Sequence, residues 1–351
     1  MPLRTTTIGA YPKPDYVPTP DWFRVGGPGT ASPTQAYEAY LQNLPPDIDE
    51  ILDRATQEVV REQVRAGIDI PTDGEIRREN YIHYQCRNFD GFDFARLTRL
   101  ELRNGAWVAD VPTIVGPIAS RDPILPQNYL AAQAATDRPV KITLPGPMTI
   151  AGSTADAWYH DEARLGADLA AALNREVLAL AEAGCAWIQI DEPVFAREPD
   201  KALAFGFDNL ERCFDGLPDG VTRAAHMCCG YPERLDQPDY LKADRTAYFQ
   251  LAPAIEVSSI QAVSLEDAHE YNDLRLLEIF QTTTVIFGSV GIARSRVESV
   301  EEIAARLEQA LQHIDPDRLI VGPDCGLGML PRETALAKLE NMAEAAKMVG
   351  D

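Results

Sequence analysis

The sequence predicts an α/β fold, a single-domain (β/α)8 TIM barrel over residues 1–351. Short β-branched or aliphatic runs recur along the chain, and longer segments of helical periodicity separate most of them. Strands that are separated by helices pair in parallel, and eight such units favour a closed barrel over an open sheet. The predicted strands lie near 3–8, 68–72, 139–144, 186–191, 221–227, 254–260, 283–288 and 317–322.

Four helices are predicted most clearly. They cover 47–66, 161–184, 299–313 and 332–348. The first carries an apolar face formed by Ile51, Leu52, Ala55, Val59 and Val64. Ser299 is followed three residues later by Glu302, and this capping-box pattern predicts where the helix near 299 begins.

Two segments do not fit a bare barrel. Residues 10–46 are rich in proline and glycine, which predicts a long loop after the first strand. Residues 88–118 contain two strand-like runs that flank Asn104 and Gly105, a strong signal for a β-hairpin inserted after the second strand. Both segments are expected at the face of the barrel where the strands end.

The composition excludes several classes of function. A net charge of −22 argues against binding nucleic acid or an anionic membrane, because neutralising phosphates requires clustered lysine and arginine. The N-terminal residues lack the pattern of a signal peptide, and no apolar run approaches the roughly eighteen residues of a membrane span. We therefore expect a cytoplasmic protein that acts on small molecules and keeps its cysteines reduced.

A set of metal ligands is divided between two strand ends. His226 and Cys228 close the fifth predicted strand, where residues two apart face the same side, and Cys325 follows the eighth. One histidine and two thiolates suit Zn²⁺, and three protein ligands leave one position open, as in catalytic zinc sites. Cys229 is the competing ligand, but it faces opposite to Cys228 if the strand continues.

Carboxylates follow two other strands. Asp191 and Glu192 end the fourth predicted strand, and alternation along that strand favours Asp191 as the one that points inward. Glu75 follows the second strand. Two acids beside one ammonium group would recognise an amino acid, although each acid also admits a structural ion pair, for Glu75 with Arg77 or Arg78 of its own loop.

These motifs together resemble the catalytic C-terminal barrel of cobalamin-independent methionine synthase, in a single-barrel form. The resemblance rests on motifs that occur in the family's order: Ile8-Gly9-Ala10-Tyr11-Pro12, Asp73-Gly74-Glu75, Thr143 to Ile150, Ile188 to Pro193, His226-Met227-Cys228 and Pro323-Asp324-Cys325-Gly326-Leu327. It implies a zinc ion bound by His226, Cys228 and Cys325 that activates a substrate thiol for alkylation.

The resemblance also implies a homocysteine site. In that site Glu75 and Asp191 hold the amino group, and the backbone near Gly9 and Ala10 contacts the carboxylate. The thiol would accept a methyl group from a methylated folate or another alkyl donor, giving methionine. Ala10 departs from the family, which has a serine at this position of the pocket.

Two further departures concern the metal and the donor. The family's fourth ligand, a glutamate, aligns with Gln261, so that Gln261 or water would complete the zinc shell. The aspartate and histidine thought to protonate the departing folate align with Ser289-Val290-Gly291, and no protein acid is identified.

Two alternatives therefore stay open. One is epoxide opening by a zinc-activated thiol such as coenzyme M, whose sulfonate would need an arginine; Arg77, Arg78 and Arg197 are the candidates. The other is a barrel that binds a thiol metabolite without catalysis.

Overall fold

The computed structural model describes residues 2–23, 33–102 and 107–350. The strands in these ranges are β1 (Arg4–Thr5), β2 (Phe89–Leu102), β3 (Trp107–Ser120), β4 (Lys141–Pro145), β5 (Ala155–Asp156), β6 (Trp187–Asp191), β7 (Thr222–Met227), β8 (Ala262–Leu265), β9 (Thr284–Val290) and β10 (Leu319–Pro323). The α-helices are α1 (Pro33–Leu41), α2 (Ile48–Arg65), α3 (Tyr81–Cys86), α4 (Leu125–Gln133), α5 (Pro147–Ala151), α6 (Glu162–Glu182), α7 (Pro193–Arg197), α8 (Pro199–Lys201), α9 (Phe207–Cys213), α10 (Thr246–Val257), α11 (Val300–Ala310) and α12 (Arg332–Gly350). Shorter 3₁₀ or π turns occupy Ala202–Gly206, Leu274–Ile279 and Pro316–Arg318.

Seven of these strands form one parallel, curled sheet in the order β1-β10-β9-β8-β7-β6-β4. Helices connect most of the strands, so the TIM-like α/β architecture is confirmed. The strand predicted at 68–72 is reduced to two isolated bridges, Thr6 to Ile70 and Thr72 to Lys141, and the described sheet is not a closed eight-stranded barrel. Pro71 gives a physical reason, since proline has no N–H to donate to a ladder.

The four predicted helices are confirmed as α2, α6, α11 and α12. The predicted start of α11 is also found, because the Ser299 hydroxyl accepts a hydrogen bond from the Glu302 backbone N–H at 3.2 Å. The apolar sides of the helices pack on the outer face of the sheet. Inside the curl lies a second, smaller cluster of Ile8, Ile70, Ala224, Ala262, Ile286 and Ile320.

The sixth predicted strand is wrong. Residues 254–257 belong to helix α10, and the strand follows at Ala262–Leu265. Short apolar runs fit a buried helix as well as a strand, and here the helix continues past Pro253. Gln261 therefore directly precedes β8, whereas the prediction placed it after a strand.

The two insertions differ in outcome. The predicted loop over 10–46 is partly wrong, because residues 33–41 form α1; a proline is tolerated in the first turn of a helix, and Pro33 opens this one. Residues 24–32 of that loop lie outside the described ranges. The hairpin predicted at 88–118 is found as the antiparallel pair β2 and β3, and its turn at Asn104 and Gly105 also lies outside the described ranges.

In the described part of the chain, no helix combines the length and apolarity that crossing a bilayer requires.

Candidate metal and substrate site

Three possible metal ligands converge at the ends of β7 and β10. His226 and Cys228 come from the end of β7, and Cys325 follows β10. One ligand atom from each lies within 4.8 Å of the other two. His226 and Cys228 are buried, and Cys325 is partly exposed. The structure thus brings together the three residues that lie far apart in sequence.

The ring of His226 is oriented from both sides. Its Nδ1 lies 2.9 Å from the hydroxyl oxygen of Ser264 on the neighbouring strand β8, and its Nε2 lies 3.3 Å from Cys325 Sγ. If Nδ1 carries the proton, it donates to Ser264 and leaves the Nε2 lone pair aimed at the cysteines, which is the arrangement of metal-binding histidines. Burial lowers the pKa of His226, but its hydrogen bond with Cys228 and the nearby negative charges outweigh burial and raise it.

The two predicted cysteine ligands share a hydrogen bond. It lowers the pKa of Cys228 well below the ordinary value and raises the pKa of Cys325, so one thiol donates to the other sulfur. Cys229 behaves differently. Burial raises its pKa to about 12, and its side chain meets Tyr248 in the apolar core. Cys228 and Cys325 therefore interact with each other, whereas Cys229 packs in the core as an apolar side chain would.

Gln261 does not reach this site. It lies at the start of β8, opposite to the metal-ligand end, where its side-chain oxygen accepts a hydrogen bond from the Arg223 backbone N–H at 3.0 Å. The predicted place of Gln261 in the metal shell is therefore wrong. The misplaced sixth strand caused the error, because a strand ending at 260 would have put Gln261 on the correct face.

Glu266 occupies the place expected of Gln261. It directly follows β8 and is buried, with Oε2 accepting a hydrogen bond from Lys242 Nζ at 2.6 Å. Its Oε1 is also buried and has no hydrogen-bond partner among the described residues. Burial raises the pKa of Glu266 to about 8, and its charge acts on His226 and Cys325. The sequence signal was available, since an acid directly follows this apolar strand, much as Asp191 is the last residue of β6.

Asp324 holds the loop that carries Glu266. It is fully buried beside Cys325, and its two oxygens accept hydrogen bonds from the backbone N–H groups of Asp267, Ala268 and His269 at 2.8 to 2.9 Å. The end of β10 and the loop after β8 are thereby tied together. Asp324 is thus a structural acid, although it stands beside a possible metal ligand.

Asp191 faces the cavity in front of the metal-ligand cluster. In the sheet it pairs with His226 on the adjacent strand, and its Oδ1 accepts a hydrogen bond of 2.7 Å from Gln189 Nε2. Burial raises the pKa of Asp191 to about 7, and the negative charge of Glu75 adds to the effect. A cationic group that entered the cavity would therefore bind favourably to this carboxylate.

Glu192 points away from that cavity. Its two oxygens accept hydrogen bonds from the backbone N–H groups of Met148 and Thr149 and from the Thr149 hydroxyl, at 2.7 to 2.9 Å. These donors belong to the first turn of α5, whose N–H groups have no partner within the helix. Glu192 is thus a capping residue, and of the two adjacent acids only Asp191 lines the cavity.

Mutation of the two adjacent acids should separate these roles. We expect Glu192→Ala to lower the free energy of unfolding by about 2–4 kcal/mol, because it leaves buried donors unsatisfied and opens a cavity. Asp191→Asn should leave that free energy unchanged or raise it, since a buried charge is removed and the acceptor for Gln189 is kept. Urea unfolding measures both, and an equal loss in the two variants would contradict the assignment.

Glu75 reaches the same cavity from the loop after residue 72. Gly74 and Glu75 both adopt left-handed backbone conformations, with φ of 66° and 57°, which turn the carboxylate inward. Glu75 Oε1 accepts a hydrogen bond from the Thr143 hydroxyl at 2.9 Å and lies 3.7 Å from the guanidinium of Arg78. Burial raises the pKa of Glu75, and the charge of Arg78 opposes the rise. Glu75 therefore has both a structural partner and access to the cavity.

Gly9, whose backbone was predicted to contact the carboxylate of the substrate, packs against the side chain of Glu75. A Cβ atom at this position would stand 2.7 Å from Glu75 Oε1, closer than real contacts allow. Ala10 follows, is buried, and lines the cavity with Gly9. Because Gly9 has no side chain, the carboxylate of Glu75 can lie against its backbone.

Gly9→Ala should displace the Glu75 carboxylate. If Glu75 binds an amino group, we expect the variant to lose about 10-fold or more in affinity for an amino-acid thiol, the equivalent of one charge-assisted hydrogen bond. The metal content should not change, because no metal-ligand candidate touches Gly9. Gly116→Ala is the matched control, since a Cβ there meets only ordinary contacts. Calorimetric binding measures the effect, and equal affinities in the two variants would be the contrary result.

The cavity in front of the cluster has a volume of about 570 Å³ and is lined by acids, sulfur and aromatic rings. Trp22, Phe23, Tyr81 and Tyr231 form a connected group of rings, with centroids 4.9 to 5.9 Å apart. A second cavity of about 900 Å³ lies beside it and shares Trp22 and Tyr81. We refer to them as the thiol cavity and the outer cavity.

Of the remaining predicted residues, only Arg197 lines the thiol cavity. Ser289 donates a hydrogen bond to the Gly322 carbonyl at 3.1 Å and lines a different depression. Of the three arginines considered for a sulfonate, Arg77 pairs with Asp53 at 2.6 Å and Arg78 is buried against Asp73. The third, Arg197, lines both the thiol cavity and the outer cavity.

Comparison with known proteins gives a consistent result. The family described as the catalytic domain of cobalamin-independent synthase matches residues 3–205 and 224–348. A methionine synthase from Thermococcus kodakarensis is 30% identical over 351 residues, which cover 99% of this chain and 93% of the relative. A methionine synthase from Sulfolobus acidocaldarius is 28% identical over 350 residues, with 99% and 92% covered.

The fold is also shared with a solved structure. A B12-independent methionine synthase from Shewanella sp. W3-18-1, determined in complex with selenomethionine, superimposes with a TM-score of 0.87. It is 28% identical, and the match covers 100% of this chain and 98% of that one.

Proposed function

The chain belongs to the family of cobalamin-independent synthase catalytic domains, and from that premise we propose that it is a zinc-dependent methyltransferase that converts homocysteine to methionine. The observation that carries the proposal is the meeting of His226, Cys228 and Cys325 at one wall of a cavity that Glu75 and Asp191 also line. A soft ligand set beside two carboxylates suits a small molecule that carries both a thiol and an ammonium group.

The residues of the cluster fit a zinc ion. One imidazole and two thiolates are typical ligands of catalytic zinc. Glu266 directly follows the neighbouring strand β8, and its Oε1, which has no hydrogen-bond partner among the described residues, would be the fourth ligand, although it is not part of the three-residue cluster. Bound zinc would supply the positive charge that keeps a substrate thiol deprotonated at neutral pH, since a free thiol has a pKa of about 8.5. Ser264 would fix the histidine ring, and Lys242 would hold the other oxygen of Glu266.

The carboxylates would orient the substrate. Asp191 and Glu75 would share the ammonium group of homocysteine, whose charge offsets the desolvation that raises the pKa of each acid. The backbone near Gly9 and Ala10 would contact the amino acid's carboxylate. In the transfer itself a sulfur–methyl bond forms while the bond between donor and methyl breaks, and the donor keeps the electron pair. A methylated folate is the donor that the family suggests.

A turnover assay with matched thiols tests the proposal. Zinc-loaded protein incubated with homocysteine and 5-methyltetrahydrofolate, or another methyl donor, should form methionine that is detected by mass spectrometry. Calorimetry should show tighter binding of homocysteine than of coenzyme M; the reverse order would favour epoxide opening. Tight homocysteine binding without product from any donor would favour a non-catalytic binding protein.

The fourth position of the metal shell can be tested separately. We expect Glu266→Gln to weaken zinc binding by about 10-fold or more, because an amide is a poorer ligand than a carboxylate. Gln261→Ala should leave zinc binding unchanged, since Gln261 lies at the other end of β8. Competition with a coloured chelator measures both affinities. Unchanged zinc affinity in the Glu266 variant would exclude that residue from the shell.

A further inference from the structure

Arg197 stands at the junction of the two cavities. It is the last residue of α7, the short helix that begins two residues after Asp191, and its side chain is half-buried. Among the described residues, it is the only lysine or arginine that lines either cavity. The cation thus lies between the wall that carries the metal-ligand candidates and the wall of the outer cavity.

The guanidinium of Arg197 lacks a protein partner within the described ranges. Its Nη1 is shielded from solvent but donates to no acceptor at hydrogen-bonding distance among the described residues. Arg77 and Arg78 also have a buried Nε without a partner, but their guanidinium groups are bound through other nitrogens. Arg78 donates to the Thr143 carbonyl at 2.9 Å, and Arg77 pairs with Asp49 and Asp53. Shielding a charged donor from water is costly unless a partner satisfies it, so a ligand is the natural partner for Arg197.

The nearby acids are engaged elsewhere. Asp191 accepts from Gln189, Glu75 accepts from Thr143, and Glu198 of the outer cavity pairs with Lys201 at 2.8 Å. None of them forms an ion pair with Arg197 in the described structure. The junction therefore holds one positive charge that forms no ion pair with a described residue, in a site that is otherwise lined by carboxylates.

We propose that Arg197 binds a carboxylate of a substrate at the junction of the thiol and outer cavities. The inference deepens the proposed function, because both substrates of that reaction carry carboxylates: the amino-acid thiol and the glutamyl end of a folate donor. Arginine suits this role, since its planar fork donates two parallel hydrogen bonds to a carboxylate. Arg197 would then fix how the substrate is turned while Asp191 and Glu75 hold its amino group.

Binding measurements on zinc-loaded protein test the proposal. The thiol probes are homocysteine and 3-aminopropanethiol, which has the same thiol and amine but no carboxylate. The donor probes are 5-methyltetrahydrofolate and its pterin fragment without the glutamate. The variants are Arg197→Met, Arg197→Lys, and the exposed Arg212→Met as the surface control. Zinc content and urea unfolding are recorded for each variant, so that a loss of metal or of fold is seen directly.

If the carboxylate comes from the thiol substrate, Arg197→Met should erase a preference of about 10- to 100-fold for homocysteine over 3-aminopropanethiol, the value of a charged hydrogen bond. If it comes from the donor, the variant should keep that preference but bind 5-methyltetrahydrofolate at least about 10-fold more weakly, with no change for the pterin fragment. Arg197→Lys should restore part of the lost affinity, because it keeps the charge.

The proposal is overturned if Arg197→Met keeps both affinities, or if its only effect is loss of zinc, which would make Arg197 a counter-charge for the cysteines. A wrong proposed function would give a different result, because the wild-type protein itself would then bind neither thiol. If only the role of Arg197 is wrong, the wild type binds homocysteine and the Arg197→Met variant binds its ligands as the wild type does.

Discussion

Replacing Cys325 with alanine is expected to reduce bound zinc from about one ion per chain to near zero and to abolish methionine formation. The side chain supplies one of three ligand atoms that lie within 4.8 Å of one another, and its loss removes one of the two thiolates on which a firm zinc site depends. Metal analysis after dialysis against a weak chelator measures the loss. The fold should persist, because Cys325 is only partly buried at the edge of the core.

Cys229, which directly follows the proposed ligand Cys228 just after β7, provides the matched control. Cys229→Ala removes a thiol from the same segment, but that thiol packs in the core and its pKa is raised to about 12 by burial. The variant should keep its zinc and lose about 1 kcal/mol or more of unfolding free energy, as a core truncation does. Zinc that survives in the Cys325 variant, or is lost in the Cys229 variant, would contradict the ligand set.

Replacing Asp191 with asparagine is expected to lower kcat/KM for homocysteine by about 30- to 5,000-fold while zinc stays bound. Removing one partner of a buried, hydrogen-bonded charge pair costs about 2–5 kcal/mol, and Asp191 is buried with its pKa raised to about 7. Asparagine keeps the acceptor for Gln189 Nε2, so the strand end should not rearrange. Steady-state kinetics with homocysteine measures the loss.

A substrate analogue provides the control for that result. 4-Mercaptobutanoic acid has the thiol and carboxylate of homocysteine but no amino group, so it should bind the wild-type protein and the variant equally. It should bind the wild type more weakly than homocysteine does, because it brings no ammonium group to Asp191 and Glu75. A variant that loses affinity for both thiols alike would show that Asp191 acts on the metal-ligand cluster, next to which it lies in the sheet, and does not bind the amino group.

The sequence was most informative where a strand ends in a polar residue. Alternation placed His226 and Cys228 on one side of β7, and the structure brings Cys325 to them. The same rule separated Asp191 from Glu192, because the period of two along a strand depends only on the backbone. Parallel strands then bring their ends to one face, whatever their separation in the chain.

Other features depended on information that local patterns do not hold. The apolar run before Gln261 fits a helix or a strand equally, and choosing wrongly moved the expected fourth ligand to the opposite end of β8 and concealed Glu266. The capping role of Glu192 depends on where α5 begins in space. Arg197 comes shortly after Asp191 and Glu192 in the sequence. Its position between two cavities, without an ion-pair partner in the described structure, depends on the tertiary fold.

X-ray absorption at the zinc edge, recorded with and without homocysteine, tests the central claim most directly. Without substrate the ion should have two sulfur neighbours at about 2.3 Å, together with nitrogen and oxygen, as a histidine and two cysteines require. Homocysteine should add a third sulfur at the same distance. A sulfur count that does not change when homocysteine is bound would contradict the account, because the thiol would then be activated elsewhere.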